Sequence, residues 1–223
     1  DLSKIFESAD MAKWRSFRDG EDSRYVSLVL PRVLLRLPYG QNTCPIEGLN
    51  FEEVLERDLT PEEISAEVDD RKFKIHDHQK YLWGNAAFEL ALRITTAFAK
   101  HKWTAAIRGV EGGGKVEGLP LHTFESDSGD IAMMCPTEIA ITDRREKELN
   151  DLGFISLVHC KNEDFAAFFG GHSTQKPKVY NLDTANANAR LSAMLPYILA
   201  ASRFAHYIKV IMRDKVGSFQ SRE

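Results

Sequence analysis

Residues 143–159 read DRREKELNDLGFISLVH and contain the clearest helix-to-strand unit of the sequence. The charged run that begins at Asp143 is typical of a solvent-facing helix, and Gly153 stands where such a helix would end. The six residues that follow, Phe154–His159, are mostly apolar and predict a buried strand. The unit therefore predicts a helix followed by a strand, which is the basic element of an α/β domain.

Further helices and strands are predicted on both sides of this unit. The pattern of apolar residues predicts strands over 25–30, 103–110 and 137–142, and helices over 8–18, 77–100, 163–169 and 183–215. Pro31 ends the first of these strands, and Pro196 breaks the last helix near residue 195. Strands that alternate with helices in this way indicate an α/β fold.

The composition is that of an ordinary soluble globular protein. Of 223 residues, 43% are hydrophobic, and 29 Lys and Arg stand against 33 Asp and Glu, which gives a formal net charge of -4. This balance argues against a nucleic-acid-binding domain, because such domains are usually basic. The sequence contains no apolar run of about 18 residues, the length that a membrane-spanning helix needs. Neither nucleic acid nor direct membrane insertion is therefore expected.

The cysteines and the two ends of the sequence give two further expectations. Cys44, Cys135 and Cys160 form no regular disulfide pattern, which favours a reducing compartment. The sequence starts without Met or an apolar signal core, and it stops soon after a helical pattern. We therefore expect it to be a piece of a longer chain.

The glycine-rich segment 109–116, GVEGGGKV, resembles a phosphate-binding loop in its spacing. It fits G-x-x-x-x-G-K after a predicted strand, but Val116 stands where the motif needs Ser or Thr to hold Mg²⁺. Gly118 and Pro120 follow closely, whereas a phosphate-binding loop must open a helix. A tight structural turn is therefore favoured over a nucleotide site.

The rest of the sequence gives little evidence of a metal site or a catalytic nucleophile. His76 and His78 have the spacing of two metal ligands, but a zinc site needs a third and usually a fourth, and no second pair is present. Exposed imidazoles at a helix start are the favoured interpretation. The sequence also lacks the G-x-S-x-G signature of a serine nucleophile. No catalytic, cofactor-binding or metal-ligating residue is therefore predicted.

Two segments of opposite charge are candidate interaction surfaces. Residues 51–70 hold nine acidic residues and one Arg, and residues 203–223 are mainly basic. We predict contacts through Glu62, Glu63 and Glu67 of the first segment and through Arg203, Lys209 and Arg213 of the second. The alternatives are a solvated acidic helix or loop and a basic helix end that favours its own dipole.

Several segments together resemble one protein family, the large subunit of the contractile sheath of bacterial type VI secretion systems. The matching segments lie in the family's order over essentially the whole chain: SRYV (23–26), LPRVLLRLPYG (30–40), YLWGNAA (81–87), IRGVEGGGKVEGLPLH (107–122), PTEI (136–139), DRREKEL (143–149), LSAMLPY (191–197) and ASRFAHY (201–207). The segment with three consecutive glycines is highly specific.

The resemblance implies a structural role, not an enzymatic one, and no cofactor. It implies an α/β fold similar to that of phage tail sheaths, with a mixed sheet flanked by helices. Members pair with a small sheath subunit and stack with other copies into a helical tube in the bacterial cytoplasm. That tube surrounds an inner tube on a baseplate, its contraction propels effectors into target cells, and an unfoldase ATPase recycles it.

The resemblance also implies that residues 1–223 are the central portion of such a subunit. The upstream part that engages the small subunit and the unfoldase would be missing, as would the downstream arm. We expect the isolated chain to fold without assembling. Two alternatives stay open from the residues themselves: an α/β enzyme and an adaptor that binds one partner.

Overall fold

A computed structural model describes residues 2–40, 44–48, 51, 53, 80–125, 129, 131–161 and 163–216. The helices in this part of the chain are α1 (Leu2–Glu7), α2 (Ala12–Asp19), α3 (Ala87–His101), α4 (Asp143–Asp151), α5 (Asp183–Ser192) and α6 (Leu195–Lys215). The strands are β1 (Leu28–Leu30), β2 (Arg32–Arg36), β3 (Leu82–Asn85), β4 (Lys115–Val116), β5 (Thr123–Glu125), β6 (Ile131–Met133), β7 (Phe154–His159) and β8 (Ala166–Phe168).

The central sheet has the strand order β1-β7-β8-β4 and is mixed. β1 runs parallel to β7, whereas β8 is antiparallel to both β7 and β4. Ile155 and Leu157 of β7 and Phe168 of β8 are fully buried. Together with the helices beside the sheet, this confirms the predicted α/β fold with a mixed sheet flanked by helices.

Helix α3 supplies one wall of the core. Its apolar residues Leu90 and Ala97 lie seven positions apart on one face and are buried with Ile107, Val116 and Phe168. The Asn85 side chain accepts a hydrogen bond from the Ala87 backbone N–H, 2.9 Å away, at the start of the helix. At its other end the helix closes through Lys102, which has a positive φ of 59° and donates to the Phe98 carbonyl.

A second, smaller apolar cluster lies around the antiparallel pair β2–β3. Leu34 and Tyr81 are buried there, and the Tyr81 hydroxyl lies 2.9 Å from Nδ1 of the buried His122. β5 and β6 form a separate antiparallel pair.

The helix and strand within residues 143–159, and the ends of two other elements, agree with the sequence predictions. α4 spans Asp143–Asp151, and Gly153 follows it with a φ of +88° that an L side chain rarely adopts. β1 ends immediately before Pro31. The last helical pattern divides into α5 and α6, and Pro196 occupies the first turn of α6.

The predicted helix over 77–100 begins too early. Residues 77–79 lie outside the described part of the chain, and Leu82–Asn85 form β3 instead of a helical turn. β3 pairs with β2, and Gly84 faces the Leu35 side chain there. A Cβ atom on Gly84 would lie 2.5 Å from Leu35 Cδ1 and 2.7 Å from Leu35 Cγ, so the Leu35 side chain would have to move to admit it.

Three other sequence predictions are wrong. Residues 163–169 contain β8, not a helix, because Ala166–Phe168 pair with β7 on one side and β4 on the other. Since β4 already occupies that second edge, residues 103–109 form an irregular segment instead of a strand. Residues 137–142 make a single bridge, between Thr137 and Val33.

Candidate assembly surface

The glycine-rich segment packs against the end of β8. Val110–Gly114 form a kinked turn, with a positive φ of 91° at Gly113, that leads directly into β4. The Gly109 N–H donates to the Phe168 carbonyl over 2.7 Å, and the Gly114 N–H donates to the Gly109 carbonyl over 2.8 Å. Gly114 is buried among these backbone atoms, so its lack of a side chain serves packing.

The lysine of this segment is already engaged. The Lys115 Nζ atom is paired with the Glu117 carboxylate and lies 4.3 Å from the centre of the Phe165 ring. The side-chain hydrogen bond to Glu117 raises the pKa of Lys115. The geometry therefore favours the interpretation of this segment as a structural turn.

The described part of the chain holds no cluster of three or more His, Cys, Asp or Glu residues with the geometry of a metal site. His76 and His78 lie outside the described residues. The three cysteines are free thiols, and burial raises the pKa of Cys160. In the same part of the chain, no helix is long and apolar enough to cross a membrane.

Helix α6 is fixed to the core at its start. Ile198 is buried, and Leu195 and Leu199 pack against the main cluster. The Leu195 N–H donates to the Gly171 carbonyl over 2.7 Å. These contacts set the direction in which the remaining turns of the helix run.

Arg203 makes the next attachment of α6. Its guanidinium donates to the Lys102 carbonyl at the end of α3, and its Nη2 atom donates to the Tyr207 hydroxyl over 2.8 Å. The guanidinium carbon lies 4.6 Å from the centre of the Trp103 ring, within cation–π range. Phe204 packs on the same Trp103 ring, with the two ring centres 5.4 Å apart.

Beyond Tyr207, the apolar side of α6 faces solvent. We name this surface the α6 stripe; its exposed fractions are 57% for Ile208, 60% for Ile211, 62% for Met212 and 78% for Val216, which follows the helix. Their spacing of three and four residues places them along one side. A contiguous row of large exposed apolar side chains is typical of an interaction surface.

Sequence analysis missed this surface although it identified the helical spacing. Periodicity shows that Ile208, Ile211 and Met212 share one face, but it does not show whether another element covers that face. The structure shows the same face uncovered by the described residues.

The six charged residues predicted to make contacts are placed unequally. Glu62, Glu63 and Glu67 lie outside the described residues. Arg203 is partly exposed and is held against the end of α3, whereas Lys209 and Arg213 are exposed beside the α6 stripe. Arg213 pairs with the neighbouring Asp214 over 3.1 Å. A contact between these residues and another subunit stays a prediction.

Comparison with known protein families identifies the fold. The family described as "EvpB/VC_A0108, tail sheath N-terminal domain" matches residues 1–175. The chain belongs to this tail sheath family. A second description of the same family, the tail sheath gpW/gp25-like domain, matches residues 184–223, which include α6 and its stripe.

A curated relative agrees with this tail sheath assignment. The chain is 50% identical over 223 residues to the type VI secretion system sheath protein TssC1 of Pseudomonas aeruginosa strain PAO1. That match covers all of this chain and 41% of the relative. The chain therefore spans about two fifths of the length of this tail sheath protein.

The attachment of α6 through Arg203 can be tested by a conservative substitution. Arg203→Lys keeps the charge but loses the planar group that stacks on Trp103 and the fork that donates to Tyr207. We expect the free energy of unfolding, measured by urea denaturation, to fall by about 1–2 kcal/mol.

The matched control is Arg213→Lys, since Arg213 is an exposed arginine of the same helix. It should change the free energy of unfolding by less than about 0.5 kcal/mol. Equal losses in the two variants would contradict a structural role for Arg203.

Proposed function

We propose that this chain is part of a structural subunit of a type VI secretion contractile sheath. The observation that supports this most strongly is the 50% identity to the sheath protein TssC1 over the full length of the chain. The α6 stripe is compatible with it, because an assembling protein needs apolar surface that becomes covered. The proposed role is structural and not enzymatic.

The partners proposed for the complete protein follow from this role. They are a small sheath subunit, other copies of the same subunit, an inner tube protein, a baseplate and an unfoldase ATPase that recycles the contracted sheath. The proposed location is the bacterial cytoplasm. Three free thiols are compatible with a reducing compartment.

A physical requirement of contraction bears on where the contacts lie. A contractile sheath must hold an extended lattice that relaxes to a shorter one, so some contacts must exchange between the two states. Charged side chains are well hydrated when a pair separates, so contacts between them are suited to exchange. An apolar surface is unfavourable in water and is suited to permanent contact. We assign the exchanging contacts to the charged residues of the acidic and basic segments, and the permanent contact to the α6 stripe.

Charge reversal tests the role proposed for the acidic segment. Changing Glu62, Glu63 and Glu67 together to Lys in the complete protein replaces three negative charges by three positive ones. We expect less sheath polymer, measured as the pelleted fraction after ultracentrifugation at low salt, because attraction to basic residues becomes repulsion.

The same variant should recover part of its assembly when Lys209 and Arg213 are also changed to Glu. Wild-type amounts of polymer in the first variant would contradict an interaction role for the acidic segment.

The function itself is tested by coexpression of the complete protein with its small-subunit partner. The proposal predicts that both proteins sediment together as a polymer. The adaptor alternative predicts a soluble one-to-one complex, and that result would reject the proposed function.

A further inference from the structure

A cavity of about 270 Å³ lies between the two regions matched by the tail sheath family. Its walls come from α2, α4 and α5 and from the irregular segment that precedes α5. We name it the junction cavity. Its lining includes Arg18, Asn150 and His172 from the first matched region, Arg190 from the second, and Lys178 from the segment between them.

The charges around the junction cavity are predominantly positive. Arg18, Lys178 and Arg190 line it, and Asp151 is the one carboxylate in its lining among the described residues. The structure gives no ion pair to Lys178 or Arg190 within the described part of the chain. These cations are therefore available to a negatively charged group.

Arg18 is the most constrained of the three cations. It is 7% exposed, and its Nε and Nη2 atoms donate to the backbone carbonyls of Thr174 and Asp151 over 2.9 and 2.8 Å. Burial lowers the pKa of Arg18, and the nearby Asp19 and Asp151 charges partly oppose this effect. Carbonyl oxygens orient the guanidinium but carry no full charge to balance it.

The pKa of His172 is affected by the same positive charges. Burial lowers its pKa, and the charges of Arg108, Arg190 and Arg18 lower it further, while Asp151 has the opposite effect. A neutral imidazole at this position adds a hydrogen-bonding group without adding more positive charge.

Asn150 contributes a polar side chain to the lining. It is 9% exposed, its Nδ2 atom donates to the Glu146 carboxylate, and its buried Oδ1 atom has no hydrogen-bond partner. A buried carbonyl oxygen without a partner is unfavourable by about 1–3 kcal/mol. This oxygen packs against Gly170 and is closed to solvent, so a ligand in the cavity is recognised by charge and not by a hydrogen bond to Oδ1.

These features distinguish between classes of anion. An inorganic phosphate ion is much smaller than a cavity of about 270 Å³ and would leave most of it unfilled. An acidic residue in a peptide offers a planar carboxylate that matches the fork of arginine, and the neighbouring peptide fills more of the cavity.

We propose that the junction cavity binds an Asp or Glu residue of an acidic protein segment. The carboxylate is received by Arg18, Arg190 and Lys178. The site is independent of the proposed sheath function, because it requires only an acidic segment on a partner protein. Its position between the two matched regions means that a bound segment contacts both of them.

The test uses fluorescence anisotropy with the whole 223-residue chain. The probe is a fluorescein-labelled peptide of six glutamates, and the reference is the same peptide made of six glutamines. We expect binding of the glutamate peptide, at least about tenfold weaker binding of the glutamine peptide, and a loss of at least about tenfold in the double variant Lys178→Ala and Arg190→Ala.

The matched control is Lys100→Ala with Lys161→Ala, which removes the same charge from exposed positions away from the cavity. It should change the affinity for the glutamate peptide by less than about twofold, because the charges it removes lie outside the cavity lining. Equal loss in the two double variants would overturn the proposal in favour of nonspecific attraction.

The pKa of His172 allows binding to be measured at the cavity itself. A bound carboxylate should raise the pKa of His172, which can be followed by nuclear magnetic resonance. Displacement of the peptide by inorganic phosphate at equal or lower concentration would overturn the assignment to a carboxylate.

Discussion

Gly114→Ala should destabilise the protein more than most single substitutions of one glycine by alanine. A Cβ atom at this position would lie 2.6 Å from the Phe168 carbonyl oxygen and 2.9 Å from both Arg108 Cα and the Gly109 nitrogen. All three are backbone atoms, so none can rotate away. We expect a loss of about 3 kcal/mol or more, seen as a fall in Tm of about 6–12 °C.

Gly112→Ala is the matched control within the same glycine run. No heavy atom lies within 4 Å of its added Cβ, and its φ is outside the positive range. We expect the free energy of unfolding to stay within about 1 kcal/mol of the original. A stable Gly114→Ala protein would contradict the packing role of this segment and return attention to ligand binding there.

Placing charge on the α6 stripe should abolish assembly without unfolding the domain. The double variant Ile211→Asp and Met212→Asp puts two carboxylates at positions that are exposed in this chain. In the complete protein we propose that these positions are covered, and burying an unpaired carboxylate costs several kcal/mol. Since about 1.4 kcal/mol is a tenfold change in an equilibrium constant, polymer should fall by at least about 100-fold.

Two measurements separate this effect from misfolding. The Tm of the 223-residue chain should change little, because the substituted side chains contact solvent. A control with Ser202→Asp and His206→Asp in the complete protein, which places the same two charges at exposed positions of α6 outside the stripe, should assemble more nearly like wild type. Normal polymer formation by the Asp variant would contradict an assembly role for the stripe.

Local sequence features predicted the elements that depend on local interactions. α4 and β7 follow from a charged run, a glycine in a left-handed conformation and a short apolar strand. The division between α5 and α6 follows from Pro196, whose ring is compatible with the first turn of a helix. Each of these features acts within a few residues.

The wrong predictions concern elements that depend on distant partners. Ala166–Phe168 are a short apolar run whose periodicity fits a helix or a strand, and pairing with β4 and β7 decides the outcome. In the same way, residues 82–85 form a strand because β2 lies beside them. No local pattern in either segment identifies its partner.

The candidate surfaces show the same limit. The sequence predicted an apolar face on α6, but not whether another element covers it. Arg203 was assigned to a partner from its charge, yet it contacts Lys102 and Trp103, about a hundred positions away. The residues that line the junction cavity are spread over positions 18 to 190, so no local motif predicts it.

Electron cryomicroscopy of the complete protein, coexpressed with its small-subunit partner, tests the central claim most directly. We expect hollow, striated tubes whose wall contains the β1-β7-β8-β4 sheet and in which the α6 stripe is covered. Soluble complexes without tubes, at concentrations where both proteins are folded, would contradict a sheath role for this chain.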